Sequence, residues 1–365
     1  MISMTGPCVA QDGRVIVYRI DIVREANMAA VIGWDIGGVH LKAARAQDGR
    51  ITKAAQFASP LRGGTGRLVE AFAEARAAMG RADRNVITMT GELADTFASR
   101  REGVSCLVKL AARELGEISV YAGRAGYLRP EDATEHSTDI ASANWHACAA
   151  LVASKCADAL FIDLGSTTTD IVPIMHGKVA ASGYTDAQRL AAGELVYTGL
   201  VRGFVMAAAD RAPVNGAWTG LINENFATMA DVHRILGTLP ADIDLMPTAD
   251  GREKTKDASR GRLARMVGGD AGDADEETWR LLAQWFAEAQ LRAIADAVAL
   301  VRSRGVLPAE PPIIAAGIGL AAVAEIARRS GCAYATFDSL LDIRQEARAA
   351  ACHCAPAVAL ALLSS

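Results

Sequence analysis

Aromatic residues are scarce in this sequence: Phe, Trp and Tyr together make up 5% of 365 residues. No apolar run reaches the ~20 residues that a membrane-spanning helix requires, so no membrane segment is expected. Basic residues are not in excess. There are 38 Lys and Arg against 42 Asp and Glu, for a net charge of −4. That balance argues against nucleic acid as a partner, which needs a basic face. An anionic ligand must then be held by local groups and not by the global field. Cysteine is odd in number and scattered, at positions 8, 106, 148, 156, 332, 352 and 354. No disulfide framework is expected, and a reducing, cytoplasmic setting fits best. Cys352-His353-Cys354 lacks the second ligand pair that a four-coordinate zinc site needs. The stretch Met1 to Asn27 has no signal-like apolar region and carries Asp12, Arg14, Arg19, Asp21, Arg24 and Glu25. Residues 1–28 are therefore expected to be a dispensable extension.

What is present is apolar bulk: 51% of the chain is hydrophobic. The length suggests roughly two domains. A strand pattern broken by glycine turns occurs twice. "WDIGG" and "IDLGS" each end an apolar run in Asp-x-Gly, with Asp35 and Asp163 lying 128 residues apart. Each is followed by a second strand, another turn and a third strand. Asp48-Gly49 and His176-Gly177 supply the later turns, and "KVAASGY" is the expected third strand of the second copy. This is read as an internal duplication. Helical periodicity is expected over Thr65–Met79, Ile140–Lys155, Trp279–Arg302 and Leu320–Arg329. The section from Thr185 to about Arg304 reads as mostly helical.

The turns carry chemistry. Backbone N–H groups at tight turns bind phosphate, and glycine lets them approach closely. Gly37 and Gly38 mark the first turn. Gly165, followed by Ser166, Thr167 and Thr168, marks the second, and the hydroxyls add donors. Consecutive Thr residues alternate faces, so only some of them can serve one ligand. A carboxylate beside a phosphate needs a hard cation between them. Asp35 and Asp163 are therefore the candidate Mg2+ ligands. A third turn, Gly317-x-Gly319-x-x-Ala322, has Asp338 21 residues beyond Gly317 and matches a dinucleotide fingerprint. The chain left after it is short for a full dinucleotide domain, so a third loop of the same cleft is the simpler reading.

Three turns in this order resemble the actin, sugar-kinase and Hsp70 superfamily. The resemblance implies an α/β fold: two ribonuclease-H-like (actin-like) domains flanking a cleft, over 29–155 and 156–365, with a mostly helical insertion at about 190–305 in the second. "GSTTTDIVPI" resembles the hydantoinase A/oxoprolinase branch. "VITMTGELADTF", "VYAGRAGY", "IASANWHA", "GELVYTGLVR" and "FATMADVHRILG" look like the members tied to tetrahydromethanopterin-linked C1 transfer. That group includes a methanofuran-biosynthesis synthase. The similarity spans about Ala29 to Ala289 and the Gly317 turn.

This resemblance implies a transferase that joins an aminomethylfuran-methyl diphosphate to a tyramine-derived phenolic amine and releases diphosphate. Both partners are small molecules, and a homo-oligomer stays open. An ATP-dependent kinase or ATP-driven oxoprolinase-like enzyme is the alternative on the same fold. The acceptor phenol has a free pKa of about 10 and needs a base. Glu92, Asp170 and Glu194 are the candidates. Lys42 and Arg124 are candidate phosphate contacts. Lys254, Lys256, Arg260 and Arg262 form a possible lid. Asn144 and Trp145 are possible contacts to an aromatic substrate, with a core Trp as the plainer reading.

Overall fold

The run Ala30–Ile36 (β1) is buried at every position, as expected for a strand covered on both faces. A computed structural model describes residues 30–240 and 243–365. The expected extension at 1–28 and Cys8 lie outside the described residues. β1 pairs antiparallel with His40–Gln47 (β2), which pairs with Arg50–Ala58 (β3). On its other side β1 runs parallel to Arg84–Met89 (β4), followed by Ser119–Tyr121 (β5) and Tyr127–Leu128 (β6). The first sheet therefore has the order β3-β2-β1-β4-β5-β6. Asp48 (φ 53°) and Gly49 (φ 71°) close the β2–β3 hairpin, the positive-φ pair that a two-residue hairpin prefers.

The second half repeats the plan. Ala159–Leu164 (β7) pairs antiparallel with Thr169–Met175 (β8), which pairs with Lys178–Val179 (β9) and Leu195–Val196 (β10). β9 is far shorter than the expected "KVAASGY" strand. Ile313–Gly317 (β13) runs parallel to β7, and Tyr334–Thr336 (β14) is parallel to β13. The two copies agree in detail. Gly37 N donates to His40 O at 2.9 Å, and Gly165 N donates to Thr168 O at 2.9 Å. Asp35 faces Lys42 across β1–β2, as Asp163 faces Asp170 across β7–β8. The chain is thus an α/β protein built on two related sheets.

The insertion is mostly helical, with Met229–Leu236, Lys256–Met266 and the long Glu276–Arg302. It also holds a hairpin, Arg211–Val214 (β11) and Ala217–Gly220 (β12). Its turn is Asn215 (φ 48°) and Gly216 (φ 79°), an Asn-Gly hairpin signal that the helical reading of this section passed over. The helix expected over Ile140–Lys155 is interrupted. Ser142 has φ 53°, outside any right-handed helix, so the continuous helix begins at Asn144 and runs to Ala153.

The helix Asn144–Ala153 and the last helix, Ala355–Leu363, lie between the sheets. One core joins Val31, Ala44 and Val86 of the first sheet to Phe161, Val172 and Ile314 of the second through these helices. The C-terminal segment therefore packs on the first sheet as well as on the second. Arg344 N donates to Ile51 O at 2.9 Å, and Arg84 Nη1 donates to Ser364 O at 2.6 Å. No single helix among the described residues is long and apolar enough to cross a membrane; the apolar pair Gln345–Ala351 and Ala355–Leu363 is bent by 120°.

Gly33 sits where the last helix touches β1. A Cβ there would lie 2.1 Å from Ala357 O. Gly33→Ala is expected to push the helix off the sheet and cost about 2–3 kcal/mol of stability. Urea denaturation of the variant checks this; an unchanged midpoint would refute the close-packing account.

Candidate active site

The two glycine turns end β1 and β7 and open into one cavity of about 480 Å³ between the domains. Gly37, Gly38, Gly165, Ser166, Thr167 and Thr168 line it, with Asp35, Lys42, Asp163 and Asp170. The N–H groups of Gly38, Val39, Ser166 and Thr167 donate to no backbone carbonyl among the described residues, as a phosphate cradle requires. Thr169 turns the other way: it is fully buried, and its Oγ1 donates to Thr198 O at 2.8 Å.

The turns are held from behind. Leu200 N donates to Gly165 O at 3.0 Å, and Arg202 N donates to Ser166 O at 2.8 Å. Gly199 lies so close that a Cβ would sit 2.4 Å from Thr167 N. Gln290, from the long helix, donates to Gly199 O and to Thr198 Oγ1, both at 2.9 Å. With their carbonyls occupied on the protein side, the turns leave their amides for the cleft.

Charge is concentrated here. Lys42 Nζ lies 3.4 Å from Asp35 Oδ2. Burial alone would lower the Lys42 ammonium, but Asp35 and Asp163 hold it above its ordinary value. Arg189 Nη1 donates to Asp170 Oδ1 at 2.8 Å and Nη2 donates to Glu194 O at 2.8 Å. Its guanidinium lies 4.1 Å from the ring centroid of Trp145. Burial, then Asp170, pushes the Asp163 carboxyl up to about 7. His40 also lines the cavity; its Nε2 is buried without a partner. Burial, with Lys42 and Arg202 adding to it, lowers this imidazole to about 4, so it is neutral at physiological pH.

The donor set suits a hard divalent cation. Asp35 Oδ1 is buried without a partner, and Asp163 accepts no side-chain hydrogen bond among the described residues. Lys42 pairs with Asp35 and Arg189 with Asp170, whereas Asp163 is in no ion pair among the described residues. Among the described residues no group of three or more His, Cys, Asp or Glu stands ready to hold a metal. An ion held here would take one or two of these carboxylates, as Mg2+ does when water and substrate phosphate complete its shell.

Several expected residues are elsewhere. Glu194 is fully buried away from the cleft, where its oxygens accept from Ser182 N at 2.7 Å and Gly183 N at 3.0 Å and pair with Arg304. A carboxylate with its lone pairs so committed braces a turn; it is not a base. Arg124 is exposed outside the cleft lining, with its guanidinium over Tyr184 at 4.9 Å. Gly317 and Gly319 are packing glycines. The amides of Ile318 and Gly319 donate to Leu164 O at 2.9 and 3.0 Å, and a Cβ on Gly317 would strike that carbonyl. They set β13 against β7 and hold no ligand with those amides. The charged loop is tied to itself: Arg262 is buried on Asp231 and Asp250, Arg260 pairs with Asp257 and Glu276, and Lys254 pairs with Asp244. None of these, nor Lys256, lines the cleft. Asn144 and Trp145 do line it, although Trp145 is mostly covered. Glu92 is buried just behind the lining.

Arg189, Arg62, Arg202 and His40 are cleft residues that sequence reading missed. Arg189 sits in "TDAQRLAAGE", whose only local signal is a helix cap at Thr185. Nothing in that stretch announces a partner 19 residues earlier.

A sequence profile of the hydantoinase/oxoprolinase family matches residues 83–362. A (4-{4-[2-(gamma-L-glutamylamino)ethyl]phenoxymethyl}furan-2-yl)methanamine synthase of Methanocaldococcus jannaschii is 33% identical over 187 residues, covering 51% of this chain and 56% of that protein. A protein of the same name from Methanococcus vannielii is 34% identical over 119 residues, 32% of this chain and 53% of that one. The chain thus spans about half the length of the curated relatives it matches. Among solved structures, a nucleotide-free acetone carboxylase aligns with 84% of this chain and 68% of its own, at 11% identity and a TM-score of 0.54. That likeness concerns the fold.

The acid cluster has a measurable cost. Native Asp163 keeps its proton up to about pH 7, whereas the unfolded chain releases it near 3.8. Between those values the native state binds more protons, so stability falls as pH rises. Asp163→Asn is expected to remove that slope and to be about 2 kcal/mol more stable than wild type at pH 8 in EDTA. Magnesium should restore wild type and leave the variant unmoved. Urea titrations at pH 5 and 8 decide; parallel pH profiles for the two proteins would refute the account.

Proposed function

The chain belongs to the hydantoinase/oxoprolinase family, and from that premise we propose that it is a transferase forming an aryl ether on a furan-methyl carbon with diphosphate as the leaving group. The product named for the relatives contains a phenoxymethyl group on a furan. Making that bond requires a phenol oxygen to attack the furan-methyl carbon while the carbon–oxygen bond to a leaving group breaks. The electron pair of the broken bond leaves with diphosphate, and the phenolic proton goes to the protein. The observation that carries this reading is the pair of opposed turns with uncommitted amides around a carboxylate cluster.

Each part has a role under this reading. The amides of Gly38, Val39, Ser166 and Thr167 and the Lys42 ammonium hold the phosphates. Asp35 and Asp163 would hold Mg2+, which when bound neutralises charge on the departing diphosphate. A furfuryl carbon gains positive charge as its bond to oxygen lengthens. Asp170, fixed by Arg189, supplies a carboxylate on that side of the cleft. Arg189 is itself fixed by the Trp145 ring and by Glu194 O, so this charge needs little reorganisation during reaction.

The rival is an ATP-dependent reaction in the same cleft, and calorimetry with magnesium separates the two. Inorganic diphosphate is expected to bind at least tenfold more tightly than ATP. With a furan-methyl diphosphate and a tyramine-type phenol, diphosphate should be released, and Asp35→Asn or Asp163→Asn should slow this by 100-fold or more. Tight ATP binding without diphosphate binding, or no release in the presence of magnesium, would overturn the proposal.

A further inference from the structure

Behind the cleft lining, Glu92 is 1% exposed, and its Oε2 has no partner. Its Oε1 lies 3.0 Å from Ser142 Oγ, and the same hydroxyl lies 3.2 Å from Asp186 Oδ2. Ser142 and Asp186 both line the cleft; Glu92 does not. A hydroxyl carries one proton and cannot donate to both carboxylates at once. Without a proton on Glu92, Ser142 donates to it and Asp186 keeps Arg100; with a proton on Glu92, Glu92 donates to Ser142 and Ser142 donates to Asp186. Asp186 is already anchored by Arg100 at 2.6 Å. The arrangement is a directional wire with a buried site for one proton at its end.

Ser142 is placed for this role at a backbone cost. Its φ of 53° is uncommon for any residue with a side chain. It also lies two residues before Asn144 and three before Trp145, which line the cleft as Leu93 does.

We propose that Ser142 and Glu92 form the proton outlet of the cleft, Ser142 Oγ taking the acceptor's hydroxyl proton as its own proton passes to Glu92 Oε1. This rests on the transferase reading. The phenolic O–H bond breaks, its electron pair goes into the new bond to the furan-methyl carbon, diphosphate leaves with the pair of the broken bond, and the proton lodges on Glu92. Of the other carboxylates, Asp170 is paired with Arg189 and Glu194 with backbone amides, and under the transferase reading Asp35 and Asp163 are the residues that would hold Mg2+. The groups facing Glu92 are Ser142 from the loop, Arg100 from the helix Arg100–Leu115 and Asp186 from the second domain. Burial pushes the Glu92 carboxyl up to about 7, against the pull of its backbone, Ser142 and Arg100, so it exchanges a proton near neutrality.

Ser142 touches the substrate in this scheme, and Glu92 acts through it. The test measures kcat against pH for wild type, Glu92→Gln and Ser142→Ala, with inorganic diphosphate affinity in magnesium as the check of fold and cleft. Wild-type kcat should rise with pH through about 7. Glu92→Gln should lose that limb and at least 100-fold in kcat while binding diphosphate as wild type does. Ser142→Ala should behave alike, and the double variant should be no worse than either single one. Glu92→Asp should recover part of the rate. If Glu92→Gln fails to fold, Ser142→Ala carries the test. Variants that bind diphosphate and keep kcat within twofold, with the limb intact, would overturn the relay alone. Wild type that binds diphosphate but releases none from the furan donor would overturn the transferase reading and the relay with it.

Discussion

The organising constraint of this molecule is the burial of like charge at the meeting point of two hairpins. Asp35, Asp163 and Asp170 are drawn into one cleft, where Lys42 pairs with Asp35 and Arg189 with Asp170. Carboxylates in low dielectric resist ionisation, which is why Asp163 rises to about 7. Such a cluster is tolerable where a cation and an anionic ligand complete it. The remaining architecture holds that unfavourable arrangement open: strands end at the cleft, turns point amides into it, and carbonyls are satisfied from behind.

The repeated hairpin shows where the two halves agree and where they differ. The two hairpins share the turn bond from Gly37 or Gly165 and the cross-strand partner of the leading Asp. At that partner position the first copy has Lys42 and the second has Asp170. One copy therefore neutralises its leading carboxylate within the hairpin. The other leaves a carboxylate pair that needs help from outside, and Arg189 supplies it. The guanidinium packs on Trp145 and is almost wholly buried, so its planar fork stays fixed on Asp170 and on Glu194 O.

The insertion serves the second turn as a splint. Gln290 holds Thr198 and Gly199, and the segment after Gly199 caps the turn's carbonyls. His233 continues the chain, with its Nε2 2.9 Å from Gln290 Oε1 and its Nδ1 2.9 Å from Thr238 Oγ1. The charged loop belongs to this splint and not to a lid. Its Arg262 is held by Asp231 and Asp250 and its Lys254 by Asp244, which also holds Arg234, and that clamps the helices Met229–Leu236 and Lys256–Met266 together.

Strand periodicity, glycine turns and the Asp-x-Gly repeat were legible in the sequence because they are local. Each depends on residues within about ten positions, and each predicts a strand, a turn or a free amide by itself. They were enough for two related sheets and for the cleft residues Asp35, Lys42, Asp163, Gly165 and Ser166. The Asn215-Gly216 hairpin is equally local, an Asn-Gly turn inside a section of mostly helical pattern. Tertiary structure alone decided the rest. Whether Glu194 or Glu92 is a free acid depends on which amides and hydroxyls fold against it. Whether Gly317 meets ligand or Leu164 depends on how closely β13 approaches β7. Arg189 becomes part of the site only when its short helix docks on Trp145. Burial and hydrogen-bond satisfaction are properties of neighbours in space, and neighbours distant along the chain leave no periodic mark on it.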